Sequence, residues 1–223
     1  MAAVGEAGFA VLGELAEHQS KDWYHANKDR LKSDLRTPFA GVLHAVSERL
    51  ADTGHPLRGG AATMFRQRRA PRNHPDKPPY KEHVAGMLTG SGARESLTGA
   101  VHLQLERDGG YAAAGFFRPK RAAMNRLRDA MIAERDRFLA LARDLEGRGM
   151  AFADRSQLRG MPQGYAEHRD GNLAWYLRLR SLVIERPLAV GDWTSGRVVG
   201  RVADFVAETR GLAAFGREAL GGG

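Results

Sequence analysis

An α+β fold, with a mainly antiparallel sheet packed against several helices, is what the sequence predicts, and three observations predict it. Val101, Leu103 and Leu105 alternate with His102, Gln104 and Glu106, the period-two mark of a half-buried strand. Asp108-Gly109-Gly110 follows at once as a hairpin turn, and residues 111–117 return as a second strand, so the two are antiparallel. On both sides of this hairpin the apolar spacing turns helical, without the strand–helix alternation that builds a parallel sheet.

Taken in order, Phe9, Val11, Leu12 and Leu15 mark a short amphipathic helix ending near His18. Ser20 offers an N-cap for a helix from Lys21, with Asp22 well placed in its positive first turn. Trp23, Tyr24, Asn27 and Leu31 fall along it; the aromatics are expected in the core more than in a pocket. Pro38 allows a bend or restart, and Phe39, Val42, Leu43, Val46 and Leu50 continue with helical spacing until Thr53-Gly54. Residues 63–66 and 84–88 read as further strands. After Pro119 one long helix is expected, with Met124, Leu127, Met131, Phe138, Leu141 and Leu145 on its apolar face and Gly147 and Gly149 as its stop. Gly160 to Tyr165 reads as a loop, 182–184 as a short strand before Pro187, and Asp192 or Thr194 as the cap of a last helix through Val198, Val202, Phe205 and Val206. Trp175 and Tyr176 are expected to pack.

These elements make a single domain over 1–223. It has a helical N-terminal part (8–52), a sheet-rich centre (61–118), a long helix (120–146) and a C-terminal loop, strand and helix (150–216). With 43% hydrophobic residues the chain is not intrinsically disordered, and at 223 residues it buries enough surface to fold without disulfides. The absence of cysteine excludes a thiol nucleophile and Cys-ligated zinc or iron–sulfur sites. No basic n-region or apolar h-region opens the sequence and no apolar run approaches the ~18 residues of a membrane span, so a soluble cytoplasmic protein with no membrane partner is expected. The composition indicates no oligomeric state.

The formal net charge is +8, but arginine, with glycine and alanine, is abundant throughout. Location is more informative than the total. Residues 66–81 hold six cations against Asp76 alone, the one concentrated charge in the chain. Pro71, Pro75, Pro78 and Pro79 make this segment a stiff, partly extended loop in which ordering entropy is already spent.

The segment Phe65-Arg66-Gln67-Arg68-Arg69-Ala70-Pro71-Arg72-Asn73-His74-Pro75-Asp76-Lys77-Pro78-Pro79-Tyr80-Lys81 resembles the signature of an uncharacterised family, domain of unknown function 2461. That signature is Arg-x-x-Arg-Asp-x-Arg-Phe, two residues, then Asp-Lys-x-Pro-Tyr-Lys. Arg66, Arg69, Arg72, Asp76, Lys77, Pro79, Tyr80 and Lys81 match it without a gap. Lys21-Asp22-Trp23-Tyr24-His25-Ala26-Asn27-Lys28 is similar to the family's N-terminal helix, and Pro162-Gln163-Gly164-Tyr165 to its Pro-Lys-Gly-Tyr turn. The order covers nearly the whole chain. Two positions depart: the family's Asp after the second Arg is Ala70, and its Phe after the third is Asn73. Losing that carboxylate removes a partner for a neighbouring arginine and raises the local charge. The resemblance implies a shared fold and a shared basic segment, not a reaction.

Guanidinium forks suit carboxylate and phosphate oxygens, and a tyrosine hydroxyl adds a donor. The first expectation is therefore an anionic small molecule, phosphorylated ones included, held by Arg66, Arg69, Arg72, Lys77, Tyr80 and Lys81. Asp76 and Tyr80 are the candidates for proton transfer, should the protein be an enzyme. One rival is a structural or interaction protein whose arginines pair internally, with Asp22, Asp29 or Asp34. Nucleic acid ranks lower, because only Phe65 and Tyr80 interleave the charge and no recognition motif accompanies it. His74 and His83, with Asp76 and Glu82 nearby, lack metal-ligand spacing, so no metal is assigned and no cofactor is indicated.

Overall fold

The computed structural model describes residues 2–70, 76–93, 100–154 and 157–221. The fold is α+β, with a five-stranded antiparallel sheet in the order β1-β2-β3-β5-β4. The strands are β1 (Val84–Leu88), β2 (Val101–Glu106), β3 (Gly109–Phe116), β4 (Ala151–Phe152) and β5 (Leu182–Ala189). Two compact units divide the chain. The first comprises Met1–Ser96, Ala100–Ala112 and Pro187–Phe205; the second comprises Leu97–Gly99, Ala113–Arg186 and Val206–Gly223. Among the described residues no helix is long and apolar enough to cross a membrane.

In the first unit, α1 (Glu6–Glu17) buries Val11, Leu12 and Leu15, and α2 (Lys21–Ala26) starts at Ser20, whose hydroxyl accepts the Trp23 N–H at 3.1 Å. The chain runs through α3 (Lys28–Arg30) and a widened π turn, Leu31–Arg36, into α4 (Thr37–Leu50). Pro38 supplies the reason for the widening: it has no N–H for the Asp34 carbonyl, and the Thr37 N–H reaches back five residues to Lys32. Beyond it Phe39, Val42, Leu43 and Val46 are fully buried, each contributing about 1.5–3 kcal/mol of apolar burial. Gly86 of β1 lies directly beneath this helix; a Cβ there would come within 2.6 Å of Leu43 Cδ1. β1 and β2 pair antiparallel from Val84–Leu105 to Leu88–Val101.

The hairpin between β2 and β3 turns one residue earlier than its glycines suggest. Arg107 and Asp108 form the turn, and Gly109 and Gly110 are already strand. Gly110 has φ +135°, and a Cβ on it would come within 2.1 Å of the Gln104 carbonyl, so both conformation and space demand glycine. Residues 63–66 are likewise not a full strand. A 3₁₀ turn, Ala61–Thr63, leads to a single bridge between Met64 and Gly86 and a bond from the Phe65 N–H to the Ala85 carbonyl at 2.9 Å. Asp192 is not the cap of the last long helix. It sits in the first turn of α8 (Val190–Thr194), where it accepts the Ala189 N–H and pairs with Arg201 at 3.0 Å; α9 (Val198–Glu208) starts later.

In the second unit the expected long helix is two, α5 (Arg121–Ala133) and α6 (Arg135–Gly147), broken at Glu134 with φ −113° and ψ 42°. Neither glycine nor proline marks the break, so apolar spacing alone runs straight through it. Phe138 is the fully buried hub, touching Phe152, Phe215 of α10 (Arg210–Leu220) and, edge-on, Tyr176 from α7 (Ala174–Leu177). β5 does not stop before Pro187 but continues to Ala189. β4 pairs only with Ile184 and Glu185, so beyond them that side of β5 asks for no N–H that Pro187 lacks.

Candidate functional site

The basic segment leaves the edge of β1 and returns as a short paired arm. Arg68 bridges Tyr80; the Arg69 N–H donates to the Pro79 carbonyl at 2.8 Å and the Lys81 N–H to the Gln67 carbonyl at 2.9 Å. Gln67 is only 4% exposed, and its amide donates to the Lys81 carbonyl and, at 3.0 Å, to the His83 carbonyl. The Arg69 guanidinium closes the arm from the other side, donating to the carbonyls of Pro78, at 2.7 Å, and Tyr80.

The N-terminal helices hold this arm in place. Gln19 accepts the Tyr80 N–H at 3.0 Å, and the Tyr24 ring stacks on the Tyr80 ring with centroids 4.2 Å apart and planes 7° from parallel. Tyr80 is thereby 3% exposed. Trp23 stacks on His18 instead, and the Asn27 amide donates to the Trp23 carbonyl, so of the aromatic pair only Tyr24 serves the loop.

Of the residues singled out from the sequence, Arg69, Tyr80 and Lys81 come together in the arm. Arg66, Asp76 and Lys77 are exposed. Arg72 falls outside the described residues, as do His74 and Asn73. None of Arg66, Arg69, Lys77 and Lys81 forms an ion pair among the described residues.

The Lys81 ammonium sits 5.3 Å over the Phe65 ring, and Arg36 donates to the Phe65 carbonyl at 3.3 Å. Burial first, and then repulsion from Arg69 and Arg36, holds Lys81 below the usual lysine range. His83 is pushed down to about 4 by burial, with Lys81, Arg69 and His102 adding to the effect, so its ring is neutral at pH 7.

Beside the arm opens a cleft of about 690 Å³ lined by Arg69, Glu82, His83, Glu106, Arg107 and Asp108. From Glu106 a polar row runs back along β2. His102 is 3.1 Å from the Gln104 side-chain oxygen, and the Gln104 amide donates to Glu106. Phe65 and Tyr111 flank His102 at ring distances of 5.8 and 5.9 Å. The cleft is therefore two-signed: Arg69 and Arg107 stand against the carboxylates of Glu82, Glu106 and Asp108, with the neutral His83 imidazole among them. Arg107 is drawn toward Glu17 at 4.0 Å. Sequence reading singled out none of Glu106, Arg107 and Asp108; their signal was the polar half of the β2 alternation and the turn that follows it.

Pro162–Tyr165, the other matched motif, is a turn of the second unit. Gly164 has φ +91°, and the Tyr165 hydroxyl donates to Asp129 on α5 at 2.7 Å. Tyr165 also backs Arg128, a 5% exposed residue whose guanidinium donates to the carbonyls of Leu177 and Leu179. This motif builds structure around a buried arginine.

No curated protein and no solved structure matches the chain. The family model described as Conserved hypothetical protein (DUF2461) matches residues 7–215, a span that takes in the N-terminal helices, the basic arm, the cleft and the Pro162–Tyr165 turn together. The chain belongs to that family.

Proposed function

We propose that the protein binds an anionic small molecule, phosphorylated compounds included, with the anion seated by Arg69 and Lys81 at the arm side of the cleft. The observation that carries this reading is the gathering of Arg36, Arg69 and Lys81 without an ion pair among the described residues. Burial is the larger cause of the lowered values of Lys81 and His83, and the repulsion among these cations adds to it. An anion placed among them removes that repulsion and gains charge-assisted hydrogen bonds. Glu82, Glu106 and Asp108 then face the rest of the ligand, favouring hydroxyl or amino groups there. Arg66 and Lys77, exposed on the same loop, steer the anion inward over a distance limited by salt screening. Asp76 and Tyr80 remain the loop's proton-transfer candidates. Neither lines the cleft; the acid–base groups that do are His83 and the carboxylates of Glu82, Glu106 and Asp108.

Calorimetric titration with inorganic phosphate, a sugar phosphate and a dicarboxylate tests the reading. At least one is expected to bind at about 0.15 M salt, and Arg69→Met or Lys81→Met is expected to weaken it by tenfold or more. Arg66→Gln with Lys77→Gln is expected to cost two- to threefold at low salt and nothing at high salt. Absence of heat with all three probes, or equal affinity in Lys81→Met, overturns it.

A further inference from the structure

The second unit carries a cationic surface of its own, built on the segment that leaves β3. Phe116 points inward; its ring packs so closely on Gly216 of α10 that a Cβ there would come within 1.9 Å of it. The next residue, Phe117, points out and is 60% exposed, the most exposed large hydrophobic side chain among the described residues. Arg118 follows at φ +43°, a left-handed conformation that side chains other than glycine rarely adopt, and it is held there by its N–H donating to the Ser181 hydroxyl at 2.9 Å. That conformation lays the Arg118 guanidinium over the Phe117 ring, 5.5 Å from its centroid.

The surrounding charge is of one sign. From Gly109 to Arg128 the sequence has five cations and no acid, so residues 66–81 are not the one concentration of charge in the chain. Lys120 and Arg121 open α5, and Arg180 precedes the serine that pins Arg118. Arg118, Lys120, Arg121 and Arg180 are all exposed, and none has a carboxylate partner among the described residues; Arg121 donates only to the Gln163 side chain.

We infer that Phe117, with Arg118, Lys120, Arg121 and Arg180 around it, is a stacking platform for single-stranded nucleic acid. An exposed aromatic ring with one guanidinium beside it and further exposed cations close in the chain is what a strand requires: a base lies on the ring and phosphates meet the cations. The strained Arg118 backbone keeps ring and fork together before any strand arrives, so little ordering remains for binding to supply. An anionic membrane is the weaker partner for this surface, because a lone exposed phenylalanine offers too little apolar area to insert. This site shares no residue with the cleft, and it stands or falls independently of the small-molecule reading.

Fluorescence anisotropy of a labelled oligothymidylate of about twelve nucleotides, with the full chain at about 0.15 M salt, tests it. Phe117→Ala is expected to weaken binding about tenfold with an unchanged salt slope, and Phe117→Trp to restore it. Arg118→Gln, Lys120→Gln and Arg180→Gln are each expected to lower the slope of log affinity against log salt by about 0.7, one phosphate contact apiece. Arg69→Met in the cleft is expected to leave the oligonucleotide affinity alone. Three results overturn the inference: equal affinity in Phe117→Ala, a duplex of the same length bound as tightly as the single strand, or Phe117-dependent uptake on phosphatidylserine vesicles without oligonucleotide binding.

Discussion

His83 shows how a single side chain registers the unbalanced charge around it. It lines the cleft beside the cationic arm, and its value falls to about 4, because burial first, and then the repulsion of Lys81, Arg69 and His102, disfavours the charged ring. The consequence for stability has a definite sign. An unfolded histidine takes up its proton near pH 6.5, whereas the folded ring resists until about 4, so stability declines as pH falls through that window. With partial exposure discounted, the loss is on the order of 1–2 kcal/mol. Thermal unfolding between pH 7 and 4 is expected to show a steeper decline for the wild type than for His83→Gln; identical curves would refute the burial. Titration of the ring by NMR in Lys81→Met is expected to move the value upward by less than about one unit, since burial, the larger cause, stays in place. A bound phosphate beside Arg69 is expected to move it upward as well.

Elements show where local chemistry overrides periodicity. The Pro162–Tyr165 turn is tied to α5 by one hydroxyl, and burial together with the bond to Asp129 raises Tyr165 to about 12. Tyr165→Phe is expected to cost about 1–2 kcal/mol, the value of a hydrogen bond to a charged acceptor, read as a lower midpoint in urea. Gly216→Ala drives a methyl into the Phe116 ring and is expected to cost about 1–3 kcal/mol in the same measurement. Much of this architecture was legible beforehand. The Ser20 cap, the β2 strand and the apolar faces of α1 and α4 follow from residue types at local spacing and form as read, except that Gln104, on the polar side of β2, is buried. The break at Glu134 was not legible, since Glu134 is as good a helix former as its neighbours and the apolar stripe resumes in phase at Phe138. Pro187 misled for the opposite reason: its strand-breaking power depends on whether a neighbour needs its N–H, which only the short reach of β4 decides. The basic loop was visible as charge and proline. That Tyr24 and Gln19 anchor it, and that Glu106 and Asp108 face it, depends on contacts more than 25 positions apart in the chain, which local spacing does not encode.

On the scale of the whole molecule, cationic charge stands at two places, the arm of the first unit and the Phe117 surface of the second. The division into units does not follow the loops. Its boundaries cut β3 between Ala112 and Ala113 and β5 between Arg186 and Pro187, so each unit contains half of two strands that a single backbone runs through. Separable domains meet in exposed linkers, and a boundary inside a strand is not one. The chain is therefore expected to unfold as one cooperative domain. Trp23 and Trp193 belong to the first unit and Trp175 to the second, which supplies a direct measurement. In urea, a variant keeping Trp193 alone and a variant keeping Trp175 alone are expected to give midpoints that coincide with each other and with the far-ultraviolet circular dichroism after correction for each variant's own stability. Two separated midpoints would show that the units fold independently.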